Sequence, residues 1–211
     1  MTALLDIYGV GHNGGPPLDD EPPKPLRRRE DLRRYQRIFL NKIKRIPYLI
    51  LALPMGSGKT ATSLTAVLDL LDDREVKRVL IVAPLLVAAA TWPDEIEEWE
   101  HTRLLDWTLI RAEDDDEDIV AARHEAYRTA RHLIGLNPKD AQKFAGRRAT
   151  AAKEWKRIRL ARTDAEVHII NREALPWLWE FFGKGKRWPY DMLIVDEASM
   201  FKNARMRTPK K

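Results

Sequence analysis

Seven residues constrain this chain more than any others: Pro54-Met55-Gly56-Ser57-Gly58-Lys59-Thr60. They follow a short apolar run, Tyr48 to Leu53, that fits a buried strand. They open a stretch, Lys59 to Leu71, whose apolar residues recur at three and four, the period of a helix. Strand, glycine loop and helix in that order build an anion cradle. Gly56 and Gly58 let backbone N–H groups turn inward, and the helix N-terminus adds its dipole. Lys59 is placed to reach the β- and γ-phosphates of a nucleotide, and Thr60 to offer a hydroxyl to Mg²⁺. The strict pattern has Gly at position 53, where this chain has Leu53.

Strands and helices then alternate. Arg78 to Ala83 reads as a second buried strand, Asp106 to Ile110 as a third, Val167 to Ile170 as a fourth and Asp191 to Val195 as a fifth. Asp94 to Glu100 and Arg172 to Phe182 read as helices between them. Such alternation predicts an α/β domain with a mainly parallel, doubly wound sheet. The fifth strand ends in Asp196-Glu197. Two carboxylates at a strand's carboxyl end suit an ATPase site, one to hold Mg²⁺ and one to polarise the attacking water.

Charge is unevenly placed. Residues 121–162 hold twelve basic residues against Glu125, Asp140 and Glu154, a net of +9 in a chain whose total is +5. The segment reads as two or three helices, broken near Gly135–Pro138 and at Gly146, and an acidic run, Glu113 to Asp118, precedes it. It is either a phosphate-backbone contact surface or a solvated helical hairpin paired with that acidic run. Tyr127, Phe144 and Trp155 are too sparse for a single-strand stacking platform.

Residues 1–30 read as a flexible Gly/Pro-rich arm, with Arg27-Arg28-Arg29 as exposed linker chemistry. The chain has no Cys, which excludes a disulfide framework or a Cys nucleophile. Its five His show no metal-ligand spacing. No apolar run approaches the ~18 residues of a membrane span. With no secretory signal either, the expectation is a cytoplasmic protein with no membrane partner.

Five blocks in order make a resemblance specific. Leu32-Arg33-Arg34-Tyr35-Gln36 resembles the upstream glutamine motif of superfamily-two helicases, and Met55 to Thr60 resembles their motif I. Leu80-Ile81-Val82-Ala83-Pro84, with Trp92 and Glu95 to Trp99, is similar to motif Ia and its helix. Ile169 to Glu173 takes the place of the strand-end segment near the nucleic-acid path. Asp196-Glu197-Ala198-Ser199 and then Phe201-Lys202-Asn203 resemble motif II with its trailing Lys-Asn. The chain thus looks like the first RecA-like P-loop NTPase lobe of a Swi/Snf-type, DEAD-like helicase of bacteriophage or bacterial kind.

That resemblance implies a partial helicase ATP-binding domain over residues 31–211, with a helical basic insertion at about 113–165. It implies ATP and Mg²⁺ as cofactors. Lys59, Asp196 and Glu197 would be catalytic; Gln36, Gly56, Ser57, Gly58, Lys59 and Thr60 would bind nucleotide, Gln36 reading adenine; Thr60 and Asp196 would hold Mg²⁺. It implies DNA as partner, through 121–162 and motif Ia around Pro84, and a second RecA-like lobe in trans. The family's motif III, second lobe and motif VI arginine finger have no counterpart in these residues, which end 14 residues after Glu197. The family strand after motif II lies between the phosphate-loop strand and the motif II strand, so its absence implies a gap within the sheet. Two functions follow: the ATP-binding lobe of a DNA-dependent ATPase, or a truncated or split module that binds nucleotide or a partner without turnover.

Overall fold

The computed structural model describes residues 25–197. The Ala198-Ser199 and Phe201-Lys202-Asn203 blocks, and most of the N-terminal arm, lie outside the described residues. Four parallel strands form one sheet in the order β2-β3-β1-β4: β1 Val79–Ala83, β2 Trp107–Leu109, β3 Val167–Asn171 and β4 Met192–Val195. β1 is apolar along its whole length, and Val167 to Ile170 of β3 are buried beside it, because both faces of these central strands are covered.

Side chains alternate across β1. Val79, Ile81 and Ala83 face one core, with Leu64 and Val67 of α2 (Lys59–Asp72) and Trp92 and Ile96 of α3 (Trp92–Glu98). Leu80 and Val82 face a second core, with Ala161 at the end of α5 (Pro138–Ala161) and Leu178 of α6 (Leu175–Phe181). Helices on both faces of a parallel sheet make the doubly wound α/β architecture. The first helix, α1 (Arg34–Arg45), packs on α2 through Leu40 against Ala61 and Ala66, with Leu32 and Trp99 alongside.

The segment Tyr48 to Leu53 corrects a sequence expectation. It forms no strand. Both edges of β1 are taken, by β3 and β4, and nothing described pairs with residues 48–53. Tyr48 is 95% and Ile50 87% exposed. An apolar run becomes a strand only where a neighbouring strand accepts its backbone hydrogen bonds. The outer edge of β4 likewise has no partner strand among the described residues, and Leu193 there is half exposed.

The basic segment forms two helices, α4 (Glu117–His132) and α5, joined at Gly135. Gly146 does not break α5, because a lone glycine costs a helix only about 1 kcal/mol against alanine. Asn137 caps α5: its side-chain oxygen accepts the Asp140 N–H at 3.0 Å, and Pro138 follows at the first helical position. Buried Ala126 and Ala130 of α4 lie on the packed side, as do Ala141, Ala145 and Ala149 of α5.

Residues 27–30 belong to the lobe rather than to a free arm. The Arg27 N–H donates to Glu98 O at 3.0 Å, and the Glu100 N–H donates to Arg27 O at 2.9 Å. Arg29 pairs with Asp69 at 2.7 Å, and Lys44 reaches both Asp69 (3.2 Å) and Asp73 (3.0 Å). Burial works to raise the Asp69 pKa, but hydrogen bonds from Arg29 and Lys44 outweigh it and hold the carboxyl below its ordinary value.

His168, in the middle of β3, is fully buried. Thr163 Oγ1 gives its proton to Leu160 O, so it accepts from His168 Nε2 at 2.8 Å. His168 Nδ1 therefore accepts from the Tyr190 hydroxyl at 3.0 Å. The network fits a neutral imidazole. Burial, helped by Arg78, lowers the His168 pKa to about 4. Below pH 6.5 the unfolded chain protonates this histidine before the folded one does, so stability falls with pH through the window from 6.5 to 4. Between pH 7 and 4.5 this is worth about 2–3 kcal/mol. Urea unfolding at those two pH values is expected to show that loss in the native chain and a correspondingly smaller one in His168→Gln. Equal losses in both would show that His168 does not carry this pH dependence.

Candidate nucleotide site

The phosphate loop is built by two left-handed glycines at the start of α2. Gly56 has φ 72° and Gly58, the N-cap of α2, has φ 69°. A side chain at Gly58 would also collide with the Gln36 amide. The loop rests on α1. The Tyr35 hydroxyl donates to Ser57 O at 2.9 Å. Gln36 is buried; its Nε2 donates to Ser57 O and Gly58 O, both at 3.4 Å, while its Oε1 accepts from the Arg33 N–H at 2.7 Å. Gln36 is thus placed against the loop, with its amide engaged by backbone. The Lys59 ammonium donates to Leu53 O and Pro54 O, each at 3.0 Å.

Topology puts this loop at the carboxyl edge of the sheet. The C-terminus of α2 feeds β1 through a short turn at residues 73–78, so α2 ends at the amino edge. Its 14 residues span about 21 Å and carry its N-terminus back past the strands to the opposite edge. Asp196 and Glu197 reach that same edge because β4 runs parallel to β1. The Asp196 N–H donates to Val82 O at 2.8 Å, extending the ladder by one bond.

The Asp196 carboxylate is held twice. Oδ1 accepts the Glu197 N–H at 2.9 Å, and Oδ2 accepts the indole N–H of Trp92 at 3.2 Å. Trp92 is almost wholly buried and follows a five-residue π-helical stretch, Val87–Thr91. Such stretches recur at functional sites. Glu197 has φ 53°, a left-handed conformation that costs a residue with a side chain about 1–3 kcal/mol. It is exposed at the turn after β4.

The residues predicted from sequence therefore fall into two groups. Gln36, Gly56, Ser57, Gly58, Lys59 and Thr60 form the loop group, and Asp196 and Glu197 form the carboxylate group. No hydrogen bond joins the groups among the described residues. A family model, the SNF2-related domain, matches residues 36–211. The chain belongs to the SNF2-related family. This is a helicase-like ATPase family whose members use ATP and Mg²⁺. The chain is also 31% identical over 176 residues to "Putative protein p41" of Acyrthosiphon pisum secondary endosymbiont phage 1. That match covers 83% of this chain and 29% of the phage protein, so the chain spans under a third of its curated relative.

The donor set of this SNF2-related lobe fits a magnesium nucleotide. The Ser57 hydroxyl is buried and has no hydrogen-bond partner among the described residues, inside a turn that opens a helix. An unpaired buried donor there suits a phosphate oxygen. Thr60, one residue into α2, and Asp196, at the end of β4, could hold the metal. No helix among the described residues is long and apolar enough to cross a membrane.

Sequence spacing did not single out Tyr35 or the Trp92–Asp196 bond. Both link segments far apart in the chain, and only the packing of α1 on α2 and of α3 under the sheet brings them together. Replacing Trp92 by Phe keeps the aromatic packing and removes the donor. Outer partners of this kind are worth about 10–100-fold in metal affinity. In Trp92→Phe the Mg²⁺ concentration that half-saturates nucleotide binding is expected to rise about tenfold. An unchanged Mg²⁺ requirement, measured by titration at fixed nucleotide, would leave the indole a packing group only.

Proposed function

We propose that this chain is the ATP-binding lobe of a DNA-dependent ATPase that couples hydrolysis to translocation along nucleic acid or to its remodelling. What supports the reading is a glycine loop that opens α2, packed against the sheet, together with the Asp196-Glu197 pair that ends β4, parallel to β1. Mg²⁺-ATP would bring a polarised γ-phosphoryl group to this edge. Lys59 would release the two backbone carbonyls it now binds and hold phosphate oxygens. Ser57 and the loop amides would orient the phosphates, and Thr60 and Asp196 would position the metal. Glu197 would accept the proton of the attacking water. Gln36, buried beside the loop, would release the carbonyls of Ser57 and Gly58 to read the adenine edge.

DNA is proposed as the partner, contacting the basic segment 121–162 and the exposed strand-end turn around Pro84, where Leu86 is 78% exposed. A second RecA-like lobe is proposed to close over the nucleotide in trans. Since the curated relative is a phage protein, a bacterial or phage-infected cytoplasm is the proposed setting.

A second reading has its own support. Residues 48–53 and the outer edge of β4 lack strand partners among the described residues. Such unpaired segments suit a split module that binds nucleotide or a partner without turnover. ATP turnover by the 211-residue chain separates the two, measured with and without duplex and single-stranded DNA. The ATPase reading expects DNA-stimulated turnover that Glu197→Gln abolishes. Absent turnover, with ATP still bound, would favour the split module.

A further inference from the structure

The charge of the α4–α5 hairpin is divided along its length. At its base, the acidic run packs against the basic face. Asp114 pairs with Lys153 at 2.6 Å and with Arg123 at 2.7 Å. Lys156 pairs with Asp116 at 2.9 Å and with Asp118 at 3.2 Å, and Arg159 lies 3.8 Å from Asp118. Only the C-terminal end of α5, at Leu160 and Ala161, joins the sheet's core. Four cations of the basic segment are thus spent on fastening the hairpin to its own acidic run.

The distal half is different. Arg128, Arg131, Lys139, Lys143, Arg147 and Arg148 are all exposed, and none makes an ion pair among the described residues. Residues 128–150 carry these six cations against Asp140, a net of +5. Lys139, Lys143 and Arg147 recur every fourth residue of α5, so they line one face at intervals of about 6 Å. Like charges at that spacing repel by about 0.2–0.5 kcal/mol per pair, a cost that a polyanion would remove. α5 is 24 residues long, about 36 Å, whereas a five-residue strand spans about 17 Å, so the hairpin is far longer than the sheet is deep.

We infer that the distal half of this hairpin, and not the basic segment as a whole, is a docking surface for the phosphate backbone of duplex DNA. The surface is short of groups that read or stack on bases. The Arg148 guanidinium sits 5.4 Å from the Phe144 ring centre and covers it, and the exposed Trp155 lies in the neutralised half. Contact is therefore to phosphates, and sequence-independent. The inference rests on the reading of the chain as part of a DNA-dependent motor, but its assay needs no nucleotide, so failure of the ATP site leaves it standing.

The test is fluorescence anisotropy of a labelled random-sequence duplex against the 211-residue chain, repeated across a salt series. A distal variant carries Lys139→Gln, Lys143→Gln, Arg147→Gln and Arg148→Gln. A control variant of equal net charge carries Lys42→Gln, Arg45→Gln, Lys184→Gln and Lys186→Gln, all exposed on the lobe. Each phosphate contact adds about 0.9 to the salt slope, so the distal variant is expected to lose about 3.6 from the slope and at least about tenfold in affinity at low salt. The control is expected to stay near the native values. A distal variant that binds like the native chain, a control that loses as much, or a native chain that does not bind duplex would each overturn the proposal. Thermal melting checks the fold. If the quadruple variant melts early, Lys143→Gln with Arg147→Gln is expected to show about half the slope change.

Discussion

The parallel pairing of β4 with β1 is the contact on which the candidate site depends. It puts the Asp196 N–H on Val82 O and so fixes where the strand ends and the carboxylates begin. β1 is the pivot, since β3 holds its other edge and both of its faces are buried. A shift of one residue in this register would turn every side chain of β4 to the opposite face. It would also carry Asp196 away from the Trp92 indole. The site is thus positioned by backbone ladders, which are stiff, and trimmed by two side-chain bonds to one carboxylate.

The phosphate loop is held differently. No strand leads into it. Its supports are α1, through Tyr35 and Gln36, and the N-terminus of α2, whose residues Leu64 and Val67 are locked in the core. The loop also folds on itself, with Lys59 bound to the carbonyls just before it. A phosphate would compete for that ammonium. The two groups therefore differ in what supports them, the carboxylates standing on a paired strand and the loop on helix packing.

Much of this was legible in the sequence, for physical reasons. The glycine loop needs left-handed backbone at Gly56 and Gly58, and the structure has it there. The strand at 79–83 announced itself as an apolar run because a central parallel strand is buried on both faces, and those at 167–171 and 192–195 were legible from their apolar residues although β4 is only partly buried. Other features were hidden. The run at 48–53 has the composition of a strand but no described neighbour to pair with, and pairing is not written in a local run. Gly146 looked like a break and is not, since the alanine seam of the hairpin outweighs one glycine. The cluster Arg27-Arg28-Arg29 looked like linker, yet Asp69, forty residues on from Arg29, claims it. The division of the basic segment into a paired base and an unpaired tip needed the fold of α5 back along α4, which no charge count reveals.

In the proposed function, the loop at the start of α2 holds a nucleotide through Lys59. Isothermal titration of a non-hydrolysable ATP analogue with Mg²⁺ into the 211-residue chain tests it without requiring turnover, DNA or a second lobe. The native chain is expected to bind saturably, and Lys59→Ala to abolish binding while the melting temperature stays the same. Equal binding by the folded variant, or none by the native chain, would contradict it.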